Sequence, residues 1–154
     1  MTTIRTATKS DVTEISTVIC DALRYSNAKD YSEAVINRLF ESFSPKNIAT
    51  MMDRRTVFVA LEDDRIIGTA GLEKDAVKTV FVAPNQHRKG VGSLLMNVVE
   101  TSAVETGLVS LTVSSSLTAK SFYEALGYEV LSHEFFGEEE TVFMQRKLPK
   151  LSNI

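Results

Sequence analysis

The chain has 154 residues, 44% of them apolar and 24% charged, with a formal net charge of −3 and an isoelectric point near 5.4. That length supports a single domain, residues 1–154, with its own core. An acidic balance without a long basic stripe argues against nucleic-acid binding, and no apolar run approaches the roughly 18 residues of a membrane span.

The opening MTTIRTATKSDV lacks the apolar stretch of a secretory signal, and Cys20 is the one cysteine, so the chain reads as cytoplasmic. With two histidines and one cysteine, no metal site is expected. Thr3–Thr8 alternates as a first strand. Asp11 then opens a helix, with Glu14 as its capping partner and Val12, Ile15, Ile19, Ala22 and Leu23 at helical spacing. Cys20 shares that apolar pattern as a small buried residue. Asp30 and Glu33 repeat the cap ahead of Val35, Ile36 and Leu39, and Ser44-Pro45 starts a short helix through Met52. Tandem helices here predict a flap on one side of a sheet. Tyr25, Tyr31, Phe40 and Phe43 include candidates for ligand contact, although Tyr31 and Phe40 fit the core stripe.

Thr56–Leu61, Ile66–Leu72 and Val77–Val82 read as an antiparallel meander, with Gly68 and Gly71 marking a bulge or close packing. A helix from Gly92 to Thr106 turns Leu94, Leu95, Val98 and Val99 inward and ends at Gly107. Leu108–Val113 is a strand, parallel to Val77–Val82 because a helix joins them by a right-handed crossover. Leu117–Leu126 forms a helix with Ala119, Phe122, Tyr123 and Leu126 on one face, stopped by Gly127. Tyr128–Leu131 and Thr141–Leu148 are closing strands around FFGEEE. The order of elements predicts an α/β mixed sheet with helices on both faces.

The stretch Val80–Leu95, VFVAPNQHRKGVGSLL, carries the chemistry. A strand runs into a Pro-led turn, the triplet His87-Arg88-Lys89, Gly90 and Gly92, and then an apolar helix. Residues without Cβ let a ligand approach the backbone, and a helix's first turn offers unpaired N–H groups to an anion. The pattern is a cradle for a phosphorylated ligand. It is not a P-loop, because Lys89 precedes Gly90 and no earlier Gly has the required spacing. Nor is it a dinucleotide fingerprint, since Leu95 stands where a third Gly belongs.

On these residues the chain resembles the GCN5-related N-acetyltransferases. Their central motif, [QR]-x-x-G-x-[GA], is matched by His87-Arg88-Lys89-Gly90-Val91-Gly92 after Val82-Ala83-Pro84. A second family signature, a Tyr on the helix after the fifth strand shortly before Gly and an aromatic, is matched by Phe122-Tyr123-Glu124-Ala125-Leu126-Gly127-Tyr128. IRTATKSDVTEI also looks like the family's first strand and helix, so the resemblance covers nearly the whole chain. It implies a central mixed sheet of about seven strands flanked by helices, splayed between strands four and five, with acetyl-CoA in the gap. Main-chain groups around Phe81 and Val82 would bind the pantetheine arm, and the N–H groups from Arg88 through Lys89, Gly90, Val91 and Gly92 to Ser93 the pyrophosphate. His87 departs from the family's Gln or Arg and opens the affinity to pH.

The implied reaction moves an acetyl group directly from acetyl-CoA to a primary amine of a small molecule or peptide in a ternary complex. Tyr123 resembles the family's general acid, since a phenol with pKa about 10 holds a proton for the sulfur leaving group; periodicity alone would make it a core aromatic. Several members place a Glu at the start of the fourth strand, where this chain has Ala76 and Val77. Glu73, Asp75, His133 and a water chain therefore stay open as routes for the amine's proton. Glu138–Glu140 is either a solvated hairpin or a selector for cationic amines. A non-catalytic acyl-CoA sensor, and an enzyme for longer acyl groups with room at Gly68 and Gly71, are the alternatives. The resemblance also implies a homodimer through the C-terminal strand.

Overall fold

Asp63 and Asp64 both take left-handed backbone (φ 51° and 63°), the two-residue turn whose twist matches the strands it joins. Lys74 does the same (φ 56°) one hairpin later. These turns connect β2 (Thr56–Glu62), β3 (Arg65–Glu73) and β4 (Ala76–Val82) into the expected antiparallel meander. The computed structural model describes residues 1–27, 31–137 and 139–150. With β1 (Thr3–Thr6), β5 (Ser110–Ser115), β6 (Glu129–Phe136) and β7 (Glu139–Lys147), the strands form one seven-stranded sheet in the order β1-β2-β3-β4-β5-β7-β6.

Helices cover both faces. On one face Leu95, Met96 and Val99 of α4 (Val91–Glu105) share a core with Leu111, Val113 and Met144 of the sheet, all fully buried, and with Tyr123 of α5 (Lys120–Ala125). On the other, Ile15 and Ile19 of α1 (Val12–Ala22) and Ile48 of α3 (Pro45–Met51) share a core with Val57, Val59 and Ile66 of the sheet. The second tandem helix, α2 (Glu33–Ser42), completes the flap. Pairing between β4 and β5 is parallel, as expected, but runs only through Ala76↔Thr112 and Val77↔Val113. Beyond that point β4 stays with β3 and β5 stays with β7, so the sheet opens as a splay.

Several local expectations are corrected. A turn of 3-10 helix at Lys9–Asp11 precedes α1, so Asp11 accepts from the Thr8 N–H (2.7 Å), and Glu14 instead accepts from the Ile66 N–H (3.2 Å). Ser32 caps α2 by accepting from the Val35 N–H (3.3 Å), while the expected cap Asp30 lies outside the described residues. Leu94 is 45% exposed, because a helix opening at Val91 buries Leu95, Met96, Val99 and Ala103 instead. β5 starts late because Gly107 (φ 88°) and Leu108 still close α4 through N–H bonds to Val104 and Ala103. α5 starts at Lys120, after a turn in which the Ala119 N–H bonds Ser116. FFGEEE is mostly strand, Phe135 opposing Glu140 and Phe136 opposing Glu139; Glu138 lies outside the described residues. Cys20 is half-buried.

Arg5 grips Asp11 through two hydrogen bonds, 2.8 and 3.1 Å. That grip, aided by Thr8, outweighs burial and brings the Asp11 carboxyl down to about 2. An unfolded Asp titrates near about 3.9. The folded state therefore binds this proton less tightly, and the stabilisation is whole above about pH 4 and fades as pH falls towards about 2. Asp11→Asn is expected to flatten the loss of stability across that window, read from urea midpoints at about pH 5 and about pH 2.5.

Candidate active site

The splay begins at a bulge. Thr69 pairs with Phe81 and Gly71 with Lys78, so Ala70 alone opposes Thr79 and Val80. Thr79 takes left-handed backbone (φ 54°), rare for a β-branched residue and a mark of stored strain. Its hydroxyl donates to Lys78 O (2.7 Å). A Cβ on Gly71 would lie 3.0 Å from Thr79 Oγ1 and 3.1 Å from Lys78 O, so Gly71 makes room for the bulge. A Cβ on Gly68 would meet Leu95 at 3.0 Å, so this glycine seats α4 and opens no pocket. Of these residues, the sequence pattern flags the glycines and leaves Thr79 unmarked.

A cavity of about 480 Å³ lies between the end of β4, the start of α4 and α5. Val82, His87, Arg88, Gly90, Val91, Gly92 and Ser93, all expected at the cofactor, line it. Lys89 is exposed beside it. Gly90 (φ 80°) caps α4, and a Cβ there would meet no protein atom within 4 Å. The first helical bond runs from the Leu94 N–H to Gly90 O (3.0 Å), which leaves the N–H groups of Val91, Gly92 and Ser93 without intrahelical partners. His87 Nε2 lies 3.0 Å from Val82 O, so it carries the proton and donates. Gln86, also in the wall, is buried, and its Oε1 has no partner among the described residues.

A second cavity, about 250 Å³, lies on the opposite side of the splay, between β4, the Ser114–Ser116 end of β5 and the flap. Phe81 faces this cavity and packs edge-on against Phe43 (5.6 Å). Tyr31 is half-buried in its wall, accepting from the Leu117 N–H (3.0 Å) and donating to Glu140 O (3.3 Å). The apolar stripe had assigned Tyr31 to the core. Its hydroxyl instead ties the flap to the β5–α5 loop and to β7, a long-range contact that periodicity does not carry. Tyr25, exposed, stands at the first cavity, and Phe40 carries Arg24 over its ring at 4.8 Å.

Val80, Ala119 and Tyr123 line both cavities. Tyr123 is 5% exposed, edge-on to Phe122 (5.1 Å) and Tyr128 (5.7 Å). Its hydroxyl makes no hydrogen bond among the described residues, and burial pushes the phenol far above its ordinary value. It stays protonated at neutral pH.

Glu73 and His133 line neither cavity. Glu73 sits at the closed end of the β4–β5 pair, opposite Ala76, and receives Arg55 Nε at 3.0 Å. Burial acts to raise its carboxyl, but the hydrogen bond and charge of Arg55, helped by Lys78 and Arg54, hold it below the usual range. His133 is on β6, with Nδ1 2.7 Å from Glu140 Oε2. Among the described residues, no carboxylate lines either cavity, no three His, Cys, Asp or Glu side chains converge as a metal site, and no helix is long and apolar enough to cross a membrane.

Residues 27–145 match the family model described as an acetyltransferase (GNAT) domain. Three solved structures share the fold. A GCN5-related N-acetyltransferase from Rhodopseudomonas palustris is 20% identical with a TM-score of 0.90, covering 95% of each chain. The PaiA N-acetyltransferase from Thermoplasma acidophilum, in complex with coenzyme A, is 19% identical with a TM-score of 0.83, covering 96% of this chain and 99% of that one. The ribosomal-protein-S18-alanine N-acetyltransferase from Escherichia coli is 17% identical with a TM-score of 0.75, covering 100% and 99%.

Proposed function

The chain belongs to the GNAT acetyltransferase family, and from that membership we propose that it transfers the acetyl group of acetyl-CoA, the family's typical cosubstrate, directly to a primary amine of a small molecule or peptide, both substrates being bound at once. The observation that carries this reading is the meeting of two cavities at Tyr123, where the sheet opens. One cavity is shaped for a phosphorylated carrier and the other is small enough for an amine.

The first cavity fits the carrier because Gly90 leaves open space beside three N–H groups at a helix start. Those groups hold the pyrophosphate, with His87, Arg88 and Lys89 adding donors and charge. The edge of β4 from Val80 to Val82, left unpaired by β5, orients an extended arm through main-chain bonds. When bound, acetyl-CoA supplies a thioester whose carbonyl carbon accepts the amine and whose sulfur departs.

Tyr123 holds a proton on Oη and delivers it to the departing sulfur as the C–S bond breaks and the N–C bond forms. The amine's surplus proton passes to water, and Tyr123 is reprotonated from solvent. Glu73 and His133, away from both cavities, take at most a relayed part. The chamber itself favours the neutral amine: its walls are largely apolar and Lys78 lines it, and both desolvation and a like charge disfavour ammonium.

Calorimetric titration with acetyl-CoA, with dephospho-coenzyme A, ATP and NAD as comparisons, tests the cofactor. Selective micromolar affinity is expected, followed by thiol release with an amine panel. A folded sample that binds no acetyl-CoA would overturn the assignment.

A further inference from the structure

Lys78 lies immediately before the bulged Thr79, half-buried, and is the one charged side chain among the described residues lining the smaller cavity. It makes no ion pair or hydrogen bond through its side chain among the described residues. Glu73 is close enough to feel its charge, but that carboxylate is occupied by Arg55 at 3.0 Å. A half-buried cation gains a charge-assisted contact when a ligand brings it the opposite charge.

Among the described residues the rest of the polar lining is neutral, the hydroxyl residues Ser114, Ser116, Thr141 and Tyr31 among them. We propose that the acceptor is a small primary amine bearing a carboxylate, an amino acid by chemical class, and that Lys78 binds its carboxylate; this rests on the acetyl-transfer reading above. Three features argue together. Lys78 meets a polycation as a like charge, and among the described residues of the lining there is no acidic side chain to offset it. At about 250 Å³ the chamber falls below the usual range of ligand pockets, which begins near about 300 Å³. Lys78 also stands two residues before Val80, where the cavities meet, with the bulged Thr79 between them. A flexible lysine spans that interval with its own stem, holding a carboxylate while the amine faces the splay.

The test uses matched amines with and without the carboxylate: leucine against 3-methylbutylamine, methionine against 3-(methylthio)propylamine, β-alanine against ethylamine, and spermidine as the polycation. Thiol release gives kcat/KM per neutral amine, and calorimetry of each amine into the coenzyme A complex gives affinity independently of turnover. The carboxylated member of at least one pair is expected to be preferred by about tenfold or more, the discrimination of one charge-assisted contact. Lys78→Met should bring the ratio close to one, Lys78→Glu should invert it, and Lys78→Arg should retain it, with coenzyme A affinity reporting that each variant is folded. Turnover with equal or better use of the decarboxylated amines or spermidine, or an unchanged ratio in folded Lys78→Met, overturns the proposal and leaves acetyl transfer standing. No thiol release from any amine overturns both.

Discussion

Tyr123→Phe is expected to lower kcat by about 10²- to 10⁴-fold, the range of a positioned general acid, while leaving acetyl-CoA affinity unchanged. The fold should tolerate the change. The hydroxyl makes no hydrogen bond among the described residues, and the edge contacts at 5.1 and 5.7 Å involve the ring alone. Because burial raises the Tyr123 phenol, its proton stays in place well into the alkaline range, and kcat/KM should show no descending limb from this group at neutral or mildly alkaline pH. The rising limb should follow the ammonium of whichever amine is supplied, shifting when the amine is changed. A limb that stays near about 6 or 7 for every amine would instead indicate an enzyme group such as His133 as base. Unchanged turnover in folded Tyr123→Phe would remove the acid role.

Local signals were legible wherever backbone conformation needs a particular residue. Gly90, Gly107 and Gly127 all adopt positive φ at helix boundaries the sequence had marked, and Ser44 and Pro45 start α3 as read, the Ser44 hydroxyl accepting from the Asn47 N–H (3.3 Å). The meander and the parallel crossover followed from element order, and the splay position from the family resemblance. What escaped depends on contacts distant in sequence. Thr79 has no feature that announces a left-handed residue in a strand; only its register against Gly71 reveals the bulge. Tyr31 occupies a helix-face position by spacing, yet it hydrogen-bonds groups 86 and 109 residues away. Lys78 carries no signal of its own in the sequence, because its place on the smaller cavity and Arg55's hold on Glu73 arise only in the fold. The candidate bases were the weakest expectation for the same reason: a carboxylate near the right strand in sequence lies at its closed end in space.

The two glycines of the cradle should fail differently when substituted. Gly90 needs its glycine for conformation, and a side chain there projects into space the protein does not fill. Gly90→Val should fold with a loss of about 1–2 kcal/mol from the left-handed backbone. It should weaken acetyl-CoA binding by about 10- to 100-fold, equivalent to about 1.5–3 kcal/mol for a displaced charge-assisted hydrogen bond. At saturating acetyl-CoA its kcat should recover, because Tyr123 is untouched. Gly92 is not at positive φ, and a Cβ there would sit 3.1 Å from two atoms of the Phe122 ring. That ring lines the first cavity and packs edge-on against Tyr123, so Gly92→Val should displace it and lower kcat as well as affinity, with no recovery at saturation. Calorimetry for affinity and thiol release for turnover separate the two. Normal acetyl-CoA affinity in folded Gly90→Val would mean that the phosphates do not rest on this turn. A recovered kcat in Gly92→Val would mean that Phe122 does not couple the cradle to Tyr123, leaving the phosphate site and the acid independent of each other.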